Sequence, residues 1–435
     1  MEDWIEAKMT IKKISVSNFK SFGDLDIELG NLNILIGANA SGKSNFLQIF
    51  KFLRDITNHG LNNAISLQGG AEYLRNINLG STKNFSLKFV YTSNTKWNIG
   101  KEKAKKTIEA ETYEAIYEFV LEFNKKGKGF KVSEDKLTQK LRFYELERQE
   151  WNIETEKELG LGEIILANTD GKLRANFNLP KTIPIAPEDI FPLFSGANLP
   201  SILSTRDLPP KTLFLESPFF FFINPFEKFF ENISIYDIDP KQSKRGIPIT
   251  GKTELEEDGR NLAIVLENIL EDKDKRRKFS NLIQYLLPFI DDLRVEKFAD
   301  KSLIFTLQET FTQNHYLPAW FISDGTVNIT ALIVVLYFER KPLIILEEPE
   351  KNIHPFLISK VVSMMEEASQ KKQIIVTTHN PEIIKHINIE NILLISRDRE
   401  GFSTIIKPSQ KEEVKIFLEN EIGIEELYIQ DLLQV

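Results

Sequence analysis

An α/β fold built on a buried sheet, with a different kind of chain inserted into it, is predicted by three observations. An apolar run, Leu32 to Ile36, enters the glycine-bounded loop Gly37-Ala38-Asn39-Ala40-Ser41-Gly42-Lys43-Ser44, and a helical pattern leaves it with Phe46, Leu47, Phe50 and Leu53 on one face. A second apolar run, Leu343 to Leu346, ends in Glu347-Glu348 and is followed by an amphipathic helix carrying Leu357, Val361, Met364 and Ala368. Between these two ends the apolar period changes to two, as in Phe85, Leu87, Phe89 and Tyr91.

Composition narrows the class. The 435 residues allow two or three domains at roughly 150 residues each. A hydrophobic fraction of 42% and a charged fraction of 27% are those of a soluble globular protein, and the net charge of −8 argues against a globally basic nucleic-acid binder. With no cysteine, disulfides, thiolate nucleophiles and cysteine metal sites are excluded, which fits a cytoplasmic protein. The five histidines lack ligand spacing. The stretch Met1 to Thr10 is acidic and reads as no signal peptide, and the longest apolar stretch, Ala331 to Phe338, falls far short of the roughly 18 residues of a membrane span.

In chain order, Ile11–Ser17, Leu25–Leu29 and Leu32–Ile36 read as strands, and the helix from Lys43 runs to about Thr57, where Asn58-His59-Gly60 ends it. Gln68-Gly69-Gly70 marks a loop. Tyr117 to Phe123 alternates, and Ile164–Ala167 and Leu173–Phe177 flank Asp170-Gly171, a hairpin signal, so 85–178 reads as an antiparallel meander beside the first lobe. Lys101–Lys106 reads as a solvated loop and proline-rich Pro180–Pro210 as a boundary. Phe219–Phe222 with Phe226, Phe229 and Phe230 reads as a core or interlobe seam, with a partner surface as the alternative. Leu262–Leu270 and Phe279–Phe289 read as helices, and Arg294–Phe298 and Leu303–Leu307 as a hairpin turning at Asp300-Lys301. The strands Ile374–Thr377 and Ile392–Ser396 enclose a short helix after Pro381. The resulting division is 1–84 plus 320–435 as one domain, 85–180 as an antiparallel β subdomain, and 181–319 as an inserted lobe with helices and a β-hairpin.

The loop Gly37–Ser44 has the G-x-x-x-x-G-K-[ST] spacing. Its glycines let backbone N–H groups approach a triphosphate, and the helix N-terminus favours the negative charge. Gly37, Asn39, Ser41, Gly42, Lys43, Ser44 and Asn45 are therefore the expected ATP-binding residues, with Lys43 on the β- and γ-phosphates and the Ser44 hydroxyl on Mg²⁺. Acidic residues ending a buried strand complete such a site: Glu347 is assigned to the metal through water and Glu348 to the attacking water. Thr377-Thr378-His379-Asn380 ends the next strand, where His379 can contact the γ-phosphate. Ser323-Asp324-Gly325-Thr326 opens the apolar helix Val327–Phe338, either as a second anion site or as an ordinary N-cap.

Taken together, Asn18-Phe19-Lys20-Ser21-Phe22, Gly37–Ser44, Ser323–Thr326, Leu346–Pro355 and Thr377–Asn380 resemble the ABC-type ATPases of the RecF, SMC and OLD group. Glu347-Glu348-Pro349-Glu350 followed by Ile353-His354-Pro355 is the most specific part, and Asp258–Leu262 is similar as well. The resemblance implies an ABC-type P-loop ATPase head with an antiparallel β subdomain and an inserted, mainly helical second lobe. It also implies a head-to-head homodimer that sandwiches two ATP molecules, with Ser323 and Gly325 acting in trans, and it puts Gln68 at the glutamine loop as a metal contact. The signature S-D-G-T departs from the transporter form S-G-G-Q, and Glu347 stands where aspartate is usual. No long heptad stretch is present, and the stretch after His379 is short for a nuclease domain. The chain thus looks like an ATPase whose effector is a separate polypeptide, similar to the PtuA-type Septu ATPase that is paired with a nuclease.

The expected function is an ATP-hydrolysing switch in anti-phage defence or DNA repair. The alternative is an ATP-binding scaffold or sensor that restrains a partner with little turnover. The large insertion and the signature argue against a transporter subunit, and the lack of N-K-x-D against a GTPase. Lys241-Gln242-Ser243-Lys244-Arg245 and Lys273–Lys278 are the candidate DNA contacts.

Overall fold

The computed structural model describes residues 9–99, 106–124, 129–149, 152–183, 209–216, 226–298, 301–312, 315–419 and 423–430. The readings at Met1–Thr10, Lys101–Lys106, Pro180–Pro210 and Phe219–Phe222 lie wholly or mostly outside these residues, as does Asp300 of the hairpin turn. Contacts divide the chain into two units. One comprises Met1–Gly30, Ser44–Asn232 and Arg397–Thr404, and the other Asn31–Lys43, Ile233–Ser396 and Ile405–Val435.

The first unit is built on a seven-stranded antiparallel sheet. Its strands are β1 (Thr10–Phe19), β2 (Phe22–Glu28), β4 (Phe85–Ile99), β5 (Lys106–Phe123), β6 (Phe130–Gln149), β7 (Asn152–Thr169) and β8 (Lys172–Asn178), in the order β2-β1-β4-β5-β6-β7-β8. Period two sets the faces: in β2, Phe22, Leu25 and Ile27 are buried while Asp24, Asp26 and Glu28 are exposed. The helix Lys43–His59 contributes Phe52 to an aromatic chain running Phe19–Phe52–Phe85–Phe119, with ring centroids 6.3, 5.9 and 5.7 Å apart. Lys13–Asp26, Lys88–Glu118, Lys136–Glu118 and Lys140–Glu114 pair along the strands. Half-exposed pairs of this kind contribute about 0–1 kcal/mol each. A fully buried Phe contributes about 1.5–3 kcal/mol, so the aromatic face holds the unit. Asp170 and Gly171, at φ 49° and 89°, form the left-handed two-residue turn between β7 and β8.

The meander does not form a layer of its own beside the first strands. Ile14 pairs with Phe89 and Val16 with Leu87, so β1 and β2 continue the same sheet. The contact boundaries accordingly differ from divisions at 84/85 and 180/181.

The second unit holds a parallel sheet. Within it β16 (Ile392–Arg397), β3 (Leu32–Ile36), β15 (Gln373–Thr378), β14 (Leu343–Glu347) and β9 (Ile233–Tyr236) lie in that order, every pair parallel. Their continuous apolar runs are those of strands covered on both faces. The helix Asp324–Tyr337 is buried from Thr326 to Leu336, and Pro355–Ser369 buries Ile358, Val361, Val362, Met364 and Met365. A smaller antiparallel sheet, β10 (Ile247–Pro248), β12 (Ser302–Glu309) and β11 (Ile290–Phe298), with β13 (Tyr316–Pro318) on β12, accompanies the helices Leu262–Glu271 and Lys273–Leu286. Residues 233–319 are not a separate lobe by contacts. Leu262, Leu266 and Ile269 share one apolar cluster with Val327–Leu336 and Ile344, and β9 supplies a strand of the parallel sheet.

Candidate nucleotide-binding site

Because β3, β15 and β14 are parallel neighbours, the segments that follow them leave the sheet at one edge, where ligands of open α/β sheets bind. These segments are the loop Gly37–Lys43, the turn His379-Asn380 and the turn Glu348–Ile353. The loop's shape depends on its small residues. A Cβ on Gly37 would lie 2.2 Å from the Ile395 carbonyl oxygen, so no side chain fits there. Ala40 and Gly42 take left-handed φ values of 64° and 117°. The Lys43 Nζ donates to the carbonyls of Gly37 at 2.8 Å and Ala38 at 3.0 Å. Burial lowers the Lys43 pKa, and the charges of Glu348 and Glu350 work against that shift, so these carboxylates lie in the electrostatic neighbourhood of the lysine.

Glu347 closes β14 opposite Thr377. Glu348 then turns left-handed, at φ 44°, and its N–H donates to the Thr377 carbonyl at 2.8 Å. Its carboxylate meets His379 Nδ1 at 2.7 Å and Lys351 Nζ at 3.4 Å. Burial pushes the Glu348 carboxyl up. The His379 hydrogen bond and the Lys351 charge more than offset it, so the group sits below its ordinary value. Glu350, 6% exposed, accepts from the Thr378 hydroxyl, which in turn accepts from the Asn380 N–H at 2.9 Å. Burial raises the Glu350 carboxyl.

Ser323 is the N-cap of its helix, its Oγ accepting from Thr326 N at 3.2 Å. Gly325 lies against the turn after Glu348, where a Cβ would be 2.4 Å from the Asn352 carbonyl oxygen. Asn328 on the same helix donates to the Lys351 carbonyl. The helix Asp324–Tyr337 and the acidic turn are therefore fastened to each other. Gln68 belongs to the other unit. It ends the short helix Leu61–Leu67, and its buried Oε1 has no hydrogen-bond partner among the described residues. Ser44 and Asn45 follow Lys43 directly, Ser44 exposed and Asn45 half-buried.

Glu350, Lys351 and Asp237 had no role in the sequence reading. Glu350 stood in the quoted Glu347–Glu350 stretch, and only its burial assigns it to Thr378. Asp237, 3.1 Å from Lys351, follows β9, whose Ile233, Ile235 and Tyr236 were too short a signal to read.

The donor chemistry suits a magnesium triphosphate. Such an ion keeps water and phosphate oxygens and takes one or two protein oxygens; Glu347, closing β14, is an oxygen donor of that kind in the parallel-sheet unit. Among the described residues no cluster of three or more histidine, aspartate or glutamate side chains forms a metal cage.

A glycine loop leaving one parallel strand, with a strand ending in two glutamates and a strand ending in histidine at the same edge, defines an ATPase domain of the P-loop class. The chain belongs to the family described as "AAA domain, putative AbiEii toxin, Type IV TA system", whose model matches residues 32–385. The DNA replication and repair protein RecF of Streptococcus uberis is similar at 42% identity over 52 residues, covering 12% of this chain and 14% of that protein. The similarity thus spans about a seventh of that relative's length. Solved structures with some likeness include an SMC head bound to the C-winged helix domain of ScpA, with 15% identity, 91% of this chain and 97% of that chain covered, and a TM-score of 0.46. An SMC head with an extended coiled coil, bound to the C-terminal domain of ScpA derived from Pyrococcus furiosus, has 13% identity, covers 95% and 100%, and has a TM-score of 0.43. The SMC head domain from Thermotoga maritima has 14% identity, covers 91% and 98%, and has a TM-score of 0.38.

Proposed function

We propose that this chain binds ATP with Mg²⁺, hydrolyses it, and uses the cycle as a switch. Lys43 and the loop Gly37–Ser44, with Asn39, Ser41 and Asn45, bind the triphosphate. Ser44 and Glu347 hold the metal, with Gln68 as a further contact. Glu348 orients the attacking water, and His379 holds Glu348 and faces the γ-phosphate. Ser323 and Gly325 of a second copy close over the nucleotide, so ATP favours a head-to-head dimer and hydrolysis opens it. The observation that carries this reading is the left-handed turn at Glu348, whose carboxylate is gripped by His379 and lies in the electrostatic neighbourhood of Lys43.

The switch acts on a separate nuclease or other effector, in anti-phage defence or DNA repair, in the manner of the Septu ATPases, and is cytoplasmic. Repair draws support from the RecF similarity. Among the described residues no helix is long and apolar enough to cross a membrane. DNA contact rests on the two basic clusters. Several of their cations are answered within the chain: Lys244 by Asp324, Lys275 by Asp272, Arg276 by Asp292 and Arg277 by Asp274.

The alternative is an ATP-binding scaffold or sensor that restrains a partner with little turnover. Phosphate release by the purified protein separates the two. Steady turnover lost in Glu348→Gln with ATP binding retained supports the switch; ATP-dependent assembly without turnover in the unsubstituted protein supports the scaffold.

A further inference from the structure

Two features of the sequence have no role at the nucleotide in the reading above: the aspartate inside Ser323-Asp324-Gly325-Thr326, and the basic run Lys241–Arg245, which is a candidate DNA contact. The structure joins them. Asp324 is the first residue of the signature helix, and Lys244, C-cap of the turn of helix Pro240–Ser243, ion-pairs with its Oδ1. The Lys244 side chain is 16% exposed and that of Asp324 38%, so water screens the pair only in part.

The placement raises an electrostatic problem. The start of this helix offers unpaired N–H groups and the positive end of a dipole, which favour an anion. A carboxylate between Ser323 and Gly325 already occupies that field and repels a second anion. From this we infer that Lys244 is a positioning residue for nucleotide. It cancels the Asp324 charge, and so allows the triphosphate of a second copy to approach Ser323 and Gly325. The inference rests on the ATP-sandwich reading proposed above. It removes Lys244 from the candidate DNA contacts and leaves Lys241 and Arg245 there. It also explains how an S-D-G-T signature can serve where the transporter form has an uncharged second residue.

The test uses the full chain in a Glu348→Gln background, with ATP-driven dimerisation followed by sedimentation and ATP binding to the monomer by a fluorescent analogue. Lys244→Met is expected to weaken the ATP dimer at least tenfold, about 1.4 kcal/mol, while monomer ATP binding stays within twofold. Adding Asp324→Asn to Lys244→Met should restore the dimer to within threefold of the parent, and Lys244→Arg should need no rescue. Asp324→Asn alone should dimerise at least as well as the parent and with less dependence on salt, which keeps the inference testable if Lys244→Met misfolds. A Lys244→Met dimer as tight as the parent's, or a double variant as weak as Lys244→Met, would overturn the inference while leaving the sandwich intact. A parent that ATP does not dimerise would overturn both, and is recognised without any Lys244 variant.

Discussion

Replacing Asp135 with asparagine should change the pH dependence of stability. Asp135, on β6, is fully buried, and its Oδ2 accepts from the Phe214 N–H at 2.6 Å. Burial and the nearby Glu216 charge push its carboxyl from 3.8 up to about 8, against hydrogen bonds from Tyr117 and Phe214. The folded protein therefore keeps this proton between about pH 4 and pH 8, while the unfolded chain has released it. Because the folded state binds more protons, this group's contribution is most favourable below the unfolded pKa and is lost as pH rises towards the folded one. At about 1.4 kcal/mol per unit, going from pH 5 to pH 7 costs about 3 kcal/mol. Asparagine keeps an acceptor for Phe214 and does not titrate. Urea unfolding of wild type and Asp135→Asn at half-unit steps from pH 5 to pH 8 isolates the contribution. The variant should gain on wild type as pH rises, by about 3–4 kcal/mol over the window. A difference between the two that stays constant within about 0.5 kcal/mol would show that the carboxyl ionises normally and refute the reasoning. The consequence reaches Gln68 within the same unit: Asp135 anchors Phe214, and Glu216 accepts from the Leu61 N–H at 2.8 Å, at the start of the helix that Gln68 ends.

Lys43→Ala should abolish ATP binding and leave the circular dichroism spectrum unchanged; wild-type affinity in that protein would end the phosphate-loop assignment. Gly37→Ala forces a methyl to within 2.2 Å of the Ile395 carbonyl oxygen, so it should lower stability by about 1–3 kcal/mol and weaken ATP binding; an unchanged melting temperature would contradict the contact. Thr378→Val removes the hydroxyl between Glu350 and the Asn380 N–H, an expected loss of about 1–3 kcal/mol. Its kcat should fall more than its KM rises, because the turn that presents His379 to Glu348 loosens.

Much of the candidate site was legible because its signals are local. Gly37–Ser44 carries its spacing in eight consecutive residues, and Leu343–Glu348 and Ile374–His379 each show an apolar run ending in polar chemistry. The buried strands could be read because a strand covered on both faces has few polar positions to interrupt it, such as the buried Asn33 in β3. Partnerships were not legible. Pairing of β1 with β4 depends on the register of Ile14 with Phe89 across two intervening strands and three α-helices. The bond from Thr378 to Glu350, and the ion pair of Lys244 with Asp324, arise only when distant segments meet.

The sequence alone marked the types of the longer periodic elements, the glycine-bounded loop and the acidic strand end, since backbone propensity and hydrophobic period act over a few residues. Tertiary structure decided which strand ends share an edge, which carboxylates are buried and which charges cancel. Those properties depend on solvent exclusion and on distances between groups far apart in the chain, and neither is encoded in any short stretch.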